Sequence, residues 1–132
     1  MSEFTSTREG FQQAMERSLK GSPEETKAYV ESMLLPTFHH VMNYNRLDYD
    51  AYVNNIADWR RKVTEYTPVV HEFLRDGDQL AARVTGKIKA NGADTEFESF
   101  MFAKVDKATG KLAWLIERSV WGAAGEMGHG VN

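Results

Sequence analysis

The chain has 132 residues, 42% hydrophobic and 27% charged, with a formal net charge of −3 and no cysteine. That balance suits a globular domain long enough to bury a core of its own. It excludes disulfides and thiolate chemistry, and no basic block points to nucleic acid or to an anionic membrane surface.

From the N-terminus, Ser6 and Glu9 have capping-box spacing, and Phe11, Ala14, Met15 and Leu19 fall on one helical stripe that Lys20-Gly21 ends. Ser22-Pro23-Glu24-Glu25 is a stronger helix start, with Tyr29, Val30, Met33 and Leu34 as the buried face and Pro36 opposing continuation. Thr37 to Met42 reads as a brief strand or irregular return, and Asn43 to Arg46 as a turn. Asp48 caps a third helix on which Tyr52, Val53, Ile56, Trp59 and Val63 recur at helical spacing, while Arg60-Arg61-Lys62 reads as a solvated face. After Pro68 the pattern changes to strands over Val69–Arg75, Gln79–Lys89, Thr95–Val105 and Leu112–Trp121. Asp76-Gly77-Asp78, Asn91-Gly92 and Thr109-Gly110 supply the hairpin turns. Helices followed by a meander predict an α+β domain over residues 1–122, three helices packed on a curved antiparallel sheet, with a mobile tail at 123–132. The polar start lacks the apolar core of a secretory signal, and no run approaches the about 20 apolar residues of a membrane span, so a cytoplasmic location is expected.

Alternation in the last strands bears on assembly. Phe97, Met101 and Val105 share one face, yet Phe100 and Phe102 occupy the other; Trp114 and Ile116 likewise oppose Leu115 and Trp121. A strand apolar on both faces needs two covers. Helices supply one, and a homodimer packed sheet to sheet is the expected source of the other.

The same strands hold Glu98 and Glu117 inside apolar runs. A carboxylate there must be solvated, paired, hydrogen-bonded or protonated, because an isolated buried charge is too costly. His39 and His40 are neighbours on one strand, point to opposite faces and cannot easily chelate one metal, so no metal site is expected.

Three residue groups resemble one known family. They are Phe97-Glu-Ser-Phe-Met-Phe leading through Gly110-Lys111-Leu112 to Ile116-Glu117-Arg118, then Phe38-His39-His40-Val41-Met42-Asn43 with Leu47-Asp48, and the strand from Asp78 to Thr85. They are similar to the SnoaL-like branch of the nuclear transport factor 2-like superfamily, over roughly residues 8–122. The resemblance implies a cone whose helices and sheet enclose a pocket for small-molecule chemistry. One departure is Val120, where many relatives carry an acid.

Within such a cone the candidate catalytic residues are His40, Glu117, Glu98 and Arg83, with Arg83 as counter-ion or oxyanion donor. Candidate substrate contacts are His39, Tyr44, Tyr52, Trp59, Phe100 and Trp114. Two alternatives are open for Glu117: a proton shuttle in the cavity, or a structural partner of Arg83 or Arg118 at a dimer face. The expected function is cofactor-independent isomerisation, cyclisation or dehydration of a small apolar carbonyl compound, polyketide- or terpenoid-like, with hydrolysis of an epoxide-like bond if Glu98, Glu117 and Arg83 converge. The alternative is a non-catalytic ligand-binding or dimerisation module of the same fold.

Overall fold

The computed structural model describes residues 3–123. The expected tail therefore lies outside the described residues, apart from Ala123, which ends the last strand.

Helix α1 (Arg8–Ser18) starts one residue later than the capping-box spacing suggests: Thr7 is the cap, its hydroxyl accepting the Gly10 N–H at 2.9 Å. The second start signal forms as expected, with the Glu25 carboxylate accepting the Ser22 N–H at 2.9 Å, and a 3-10 turn at Pro23–Glu25 leads into α2 (Thr26–Met33). Strand β1 (Leu34–Met42) follows without a loop and runs through Pro36. Pro36 is tolerated because β1 leaves its partner between Leu34 and His39. Asn43 turns the chain into β2 (Asn45–Asp48), where a plain turn was expected. The Asp48 carboxylate then caps α3 (Tyr49–Lys62) by accepting the Ala51 N–H at 3.1 Å.

The remaining strands are β3 (Val63–Asp76), β4 (Gln79–Ala90), β5 (Ala93–Val105) and β6 (Leu112–Ala123). Strand β3 begins well before Pro68, correcting the boundary read from that proline. Pro68 fits because β3 is an edge strand, in an unclosed six-stranded sheet of order β2-β1-β6-β5-β4-β3. Two further expectations are corrected. The third helix follows two strands rather than preceding the sheet, and β1 pairs parallel with β6, so the sheet is mixed. Asn91 and Gly92 both take positive φ (52° and 79°), the backbone that closes the β4–β5 hairpin.

The exposed edge of β3 is sealed by α1. Gln12 donates to the Pro68 carbonyl at 2.7 Å and accepts the Val70 N–H at 2.7 Å, while Arg8 donates to the Val70 carbonyl at 3.0 Å. The helices cover one face of the sheet, and between the layers lies a core that includes Phe11, Val30, Phe38, Val70, Leu80, Val84 and Val105.

Arg60, expected on a solvated face, is buried. Its guanidinium donates to the carbonyls of Arg17, Ser18 and Ser22 at 3.0, 3.1 and 3.2 Å, closing the C-terminal end of α1. Arg60→Met keeps the stem and removes these donors. Urea unfolding should show a loss of about 1–3 kcal/mol, the cost of leaving buried carbonyls unmet; a loss within a few tenths would mean that water replaces the guanidinium.

Candidate active site

The helices and the inner sheet face line a cavity of about 150 Å³ that is partly open to the outside. Its wall is mostly Phe, Leu, Ile, Met and Trp, and the ionisable pair His40 and Glu117 stands within it. Strand parity puts them there. His40 shares its face of β1 with Phe38 and Met42, and Glu117 shares its face of β6 with Leu115 and Ser119. The parallel β1–β6 register sets Met42 opposite Glu117 and His40 opposite Leu115. His40 Nε2 and Glu117 Oε1 consequently meet at 2.9 Å, each residue only 6% exposed. The tautomer that donates to a carboxylate carries its proton on Nε2 and leaves Nδ1 with a lone pair. Nδ1 is buried and has no partner in the protein.

Asn43 holds this part of β6 in place. With φ at 55°, its N–H donates to the Glu117 carbonyl at 2.7 Å. Its side chain accepts the Ser119 N–H at 2.9 Å and donates to the Ser119 carbonyl at 3.3 Å, prolonging the β1–β6 pairing beyond the end of the strand. On the other flank, the Ser119 and Ser99 hydroxyls share a buried hydrogen bond of 2.6 Å.

Three phenols line the same cavity; that of Tyr29 donates to the Ala14 carbonyl at 3.1 Å. The Tyr52 ring meets His40 edge-on with centroids 5.3 Å apart, and Tyr66 comes from β3. Burial, with smaller contributions from neighbouring groups that include Glu117, pushes the Tyr52 hydroxyl well above its ordinary value. Burial does the same to Tyr66, offset in part by a hydrogen bond with Ser18. Both therefore remain proton-bearing donors at neutral pH.

One flank of the cavity is a row of stacked rings. Trp59 stacks on Trp121 at 6.0 Å, Trp121 on Phe97 at 4.9 Å and Phe97 on Tyr66 at 6.4 Å. Gly86 makes room for it: a Cβ there would stand 2.5 Å from the Phe97 ring.

The other expected site residues stand elsewhere. Arg83, Glu98 and Phe100 lie on the outer sheet face, because Arg83 pairs with Phe100 and Glu98 with Val120, whereas Glu117 pairs with Met101 on the inner face. Arg83 is hydrogen-bonded to Glu72 at 2.6 Å and to Glu98 at 3.0 Å, and it does not reach Glu117. That hydrogen bond from Arg83 holds the Glu72 carboxyl below its usual range. Trp114 is on the same outer face, and His39, opposite to His40 on its strand, pairs with Trp114 in register. Tyr44 is 91% exposed, under the Arg118 guanidinium at 5.1 Å. Of the ten candidates, His40, Glu117, Tyr52 and Trp59 line the cavity. Val120 is outward and 61% exposed, so an acid at that position would not enter the cavity either. Tyr66 escaped the sequence reading because it lay between the third helical pattern, which ends at Val63, and the first strand, read only from Val69. The inner-face parity it shares with Ile88, its partner in register, was the usable signal.

Among the described residues no three His, Asp or Glu side chains gather as a metal-ligand set. No described helix is long and apolar enough to cross a membrane.

No family model matches this sequence, and no curated protein matches it. Solved structures do match. The BvnE pinacolase from Penicillium brevicompactum superposes with a TM-score of 0.70 at 10% identity, over 88% of this chain and 82% of its own. PrhC from Penicillium brasilianum gives 0.69 at 9% identity, over 83% and 77%. A Shewanella denitrificans protein assigned to the SnoaL-like polyketide cyclases gives 0.66 at 11% identity, over 83% and 89%. At these identities the likeness shows the fold, which is the SnoaL-like, nuclear transport factor 2-like cone.

Proposed function

We propose, from the premise of that fold, that the chain is an enzyme of the isomerase, cyclase or dehydratase kind, moving a proton on a small apolar carbonyl compound without a cofactor. What carries this reading is the His40–Glu117 pair, buried at 2.9 Å in an otherwise apolar cavity. Structural roles seldom place two ionisable groups in an apolar hollow, whereas acid–base chemistry needs them there. In this scheme Glu117 keeps one oxygen on His40 Nε2 and uses the other to take the proton next to the substrate carbonyl. The electron pair moves onto the carbonyl oxygen, where the Tyr52 hydroxyl donates to the developing enolate. His40 fixes the carboxylate and can pass the proton on. The stacked rings hold the flat part of the substrate. Neither Arg83 nor Glu98 enters the chemistry, and hydrolysis that needs them beside Glu117 is set aside.

The test is hydrogen exchange: a small cyclic ketone incubated with the protein in heavy water should lose its α-proton signal by NMR. Saturable binding without exchange would instead favour the ligand-binding module.

The reading also includes a second copy of the chain on the outer face, where Phe100 and Phe102 are 54% and 56% exposed. Glu72, Arg83, Phe100 and Arg118 form one row across four strands. Arg83 with its two carboxylates leaves a negative charge on one side of the phenylalanines, and Arg118 supplies a positive one on the other. A two-fold axis near Phe100 and Phe102 would set each Arg118 against the other copy's acidic side, a pattern that complements itself. Sedimentation should give a dimer that Phe102→Asp converts to a folded monomer. A wild-type monomer at micromolar concentration would remove this part of the reading.

A further inference from the structure

We infer that the cavity selects an uncharged, one-ring carbonyl compound, and rejects both carboxylates and multi-ring ketones. This rests on the proton-transfer reading for the word carbonyl, and on the cavity alone for size and charge.

Size follows from the about 150 Å³ of open space. A cavity of about that volume takes up a single benzene ring. Enlarging it from the sheet side is difficult. Met101 and Phe97 are buried, and Gly86, behind Phe97, is already at contact distance. The ring would lie along Phe97 and Trp121, with its polar substituent toward the dyad.

Charge follows from the lining. Glu117 is its one carboxylate, and among the described residues no Lys or Arg lines the cavity. His40, the one side chain there that could carry positive charge, is already bonded to the Glu117 carboxylate at 2.9 Å. An anionic ligand would give up its hydration and gain no cation. Arg60, the buried guanidinium nearest in sequence to Trp59, is engaged by three backbone carbonyls.

Calorimetric titration tests this with cyclohexenone, a two-ring octalone, a four-ring steroid enone and cyclohexene carboxylate. Cyclohexenone should bind saturably, about tenfold or more tighter than the octalone, and the steroid and the carboxylate should not bind. Met15→Ala, which opens the half-buried helical wall, should narrow the gap between one ring and two. Glu117→Gln should leave the size order intact and admit the carboxylate weakly. Equal or tighter binding of the steroid or the carboxylate to wild type, or no saturable binding of cyclohexenone, overturns the inference. Exchange measured on the same ligands separates it from the proposed function. A one-ring ketone that binds without exchange sinks only the proton-transfer reading, and a steroid that binds and exchanges sinks only the selection by size.

Discussion

Glu117→Gln should lower α-proton exchange on a bound cyclic ketone by about 10²–10⁴-fold, the usual contribution of a positioned general base. The amide has the shape of the acid and can still hydrogen-bond His40 across 2.9 Å, so the fold and the cavity should survive. Only the capacity to take a proton is removed. His40→Ala is the informative companion. It leaves a buried carboxylate without its partner, costing about 1–3 kcal/mol of stability, and it should slow exchange less than Glu117→Gln does if Glu117 is the base. The reverse ranking would move the base to His40, whose Nδ1 has no partner in the protein. Exchange unchanged in both variants would end the catalytic reading.

The largest loss of stability is expected at Phe38→Ala. Phe38 is 1% exposed on β1, and its ring packs on Tyr52 at 5.1 Å. Truncating a ring enclosed on every side removes transfer energy and leaves a void, together about 3–5 kcal/mol, set against a total of about 5–15 kcal/mol for a domain. The guanidinium midpoint should fall steeply with an unchanged m-value. Phe102→Ala removes the same ring from the exposed face and should cost far less at concentrations where the chain is monomeric. A Phe38→Ala loss below about 1 kcal/mol would show that the strand collapses into the void.

Much of the architecture was legible in local pattern. Ser22-Pro23 with Glu25, Asp48 before its helix and Asn91-Gly92 at the hairpin each act within a few residues, and each appears where its chemistry places it. The misplaced boundaries share a cause. Pro36 and Pro68 read as stops, but one sits where β1 leaves its partner and the other on an edge strand, and neither position is visible before the sheet is assembled. Tyr66 was missed with the second of them.

The site divides in the same way. Alternation along β5 and β6 divided the residues of each strand between two faces, because side chains alternate with a period of two, but it left open whether Glu98 and Glu117 share one. His40 was preferred to His39 on the same ground. Periodicity says that two faces exist and leaves unsaid which one the helices cover. Only tertiary structure decided that the face of Glu117 is the inner one, with Arg83 and Glu98 outside. The meeting of His40 with Glu117, 77 residues apart, depends on a parallel β1–β6 pairing that no short-range pattern encodes. Local signals determined the elements and their faces because caps, turns and pleats are short-range physics. The His40–Glu117 pair required a long-range contact between the first and last strands.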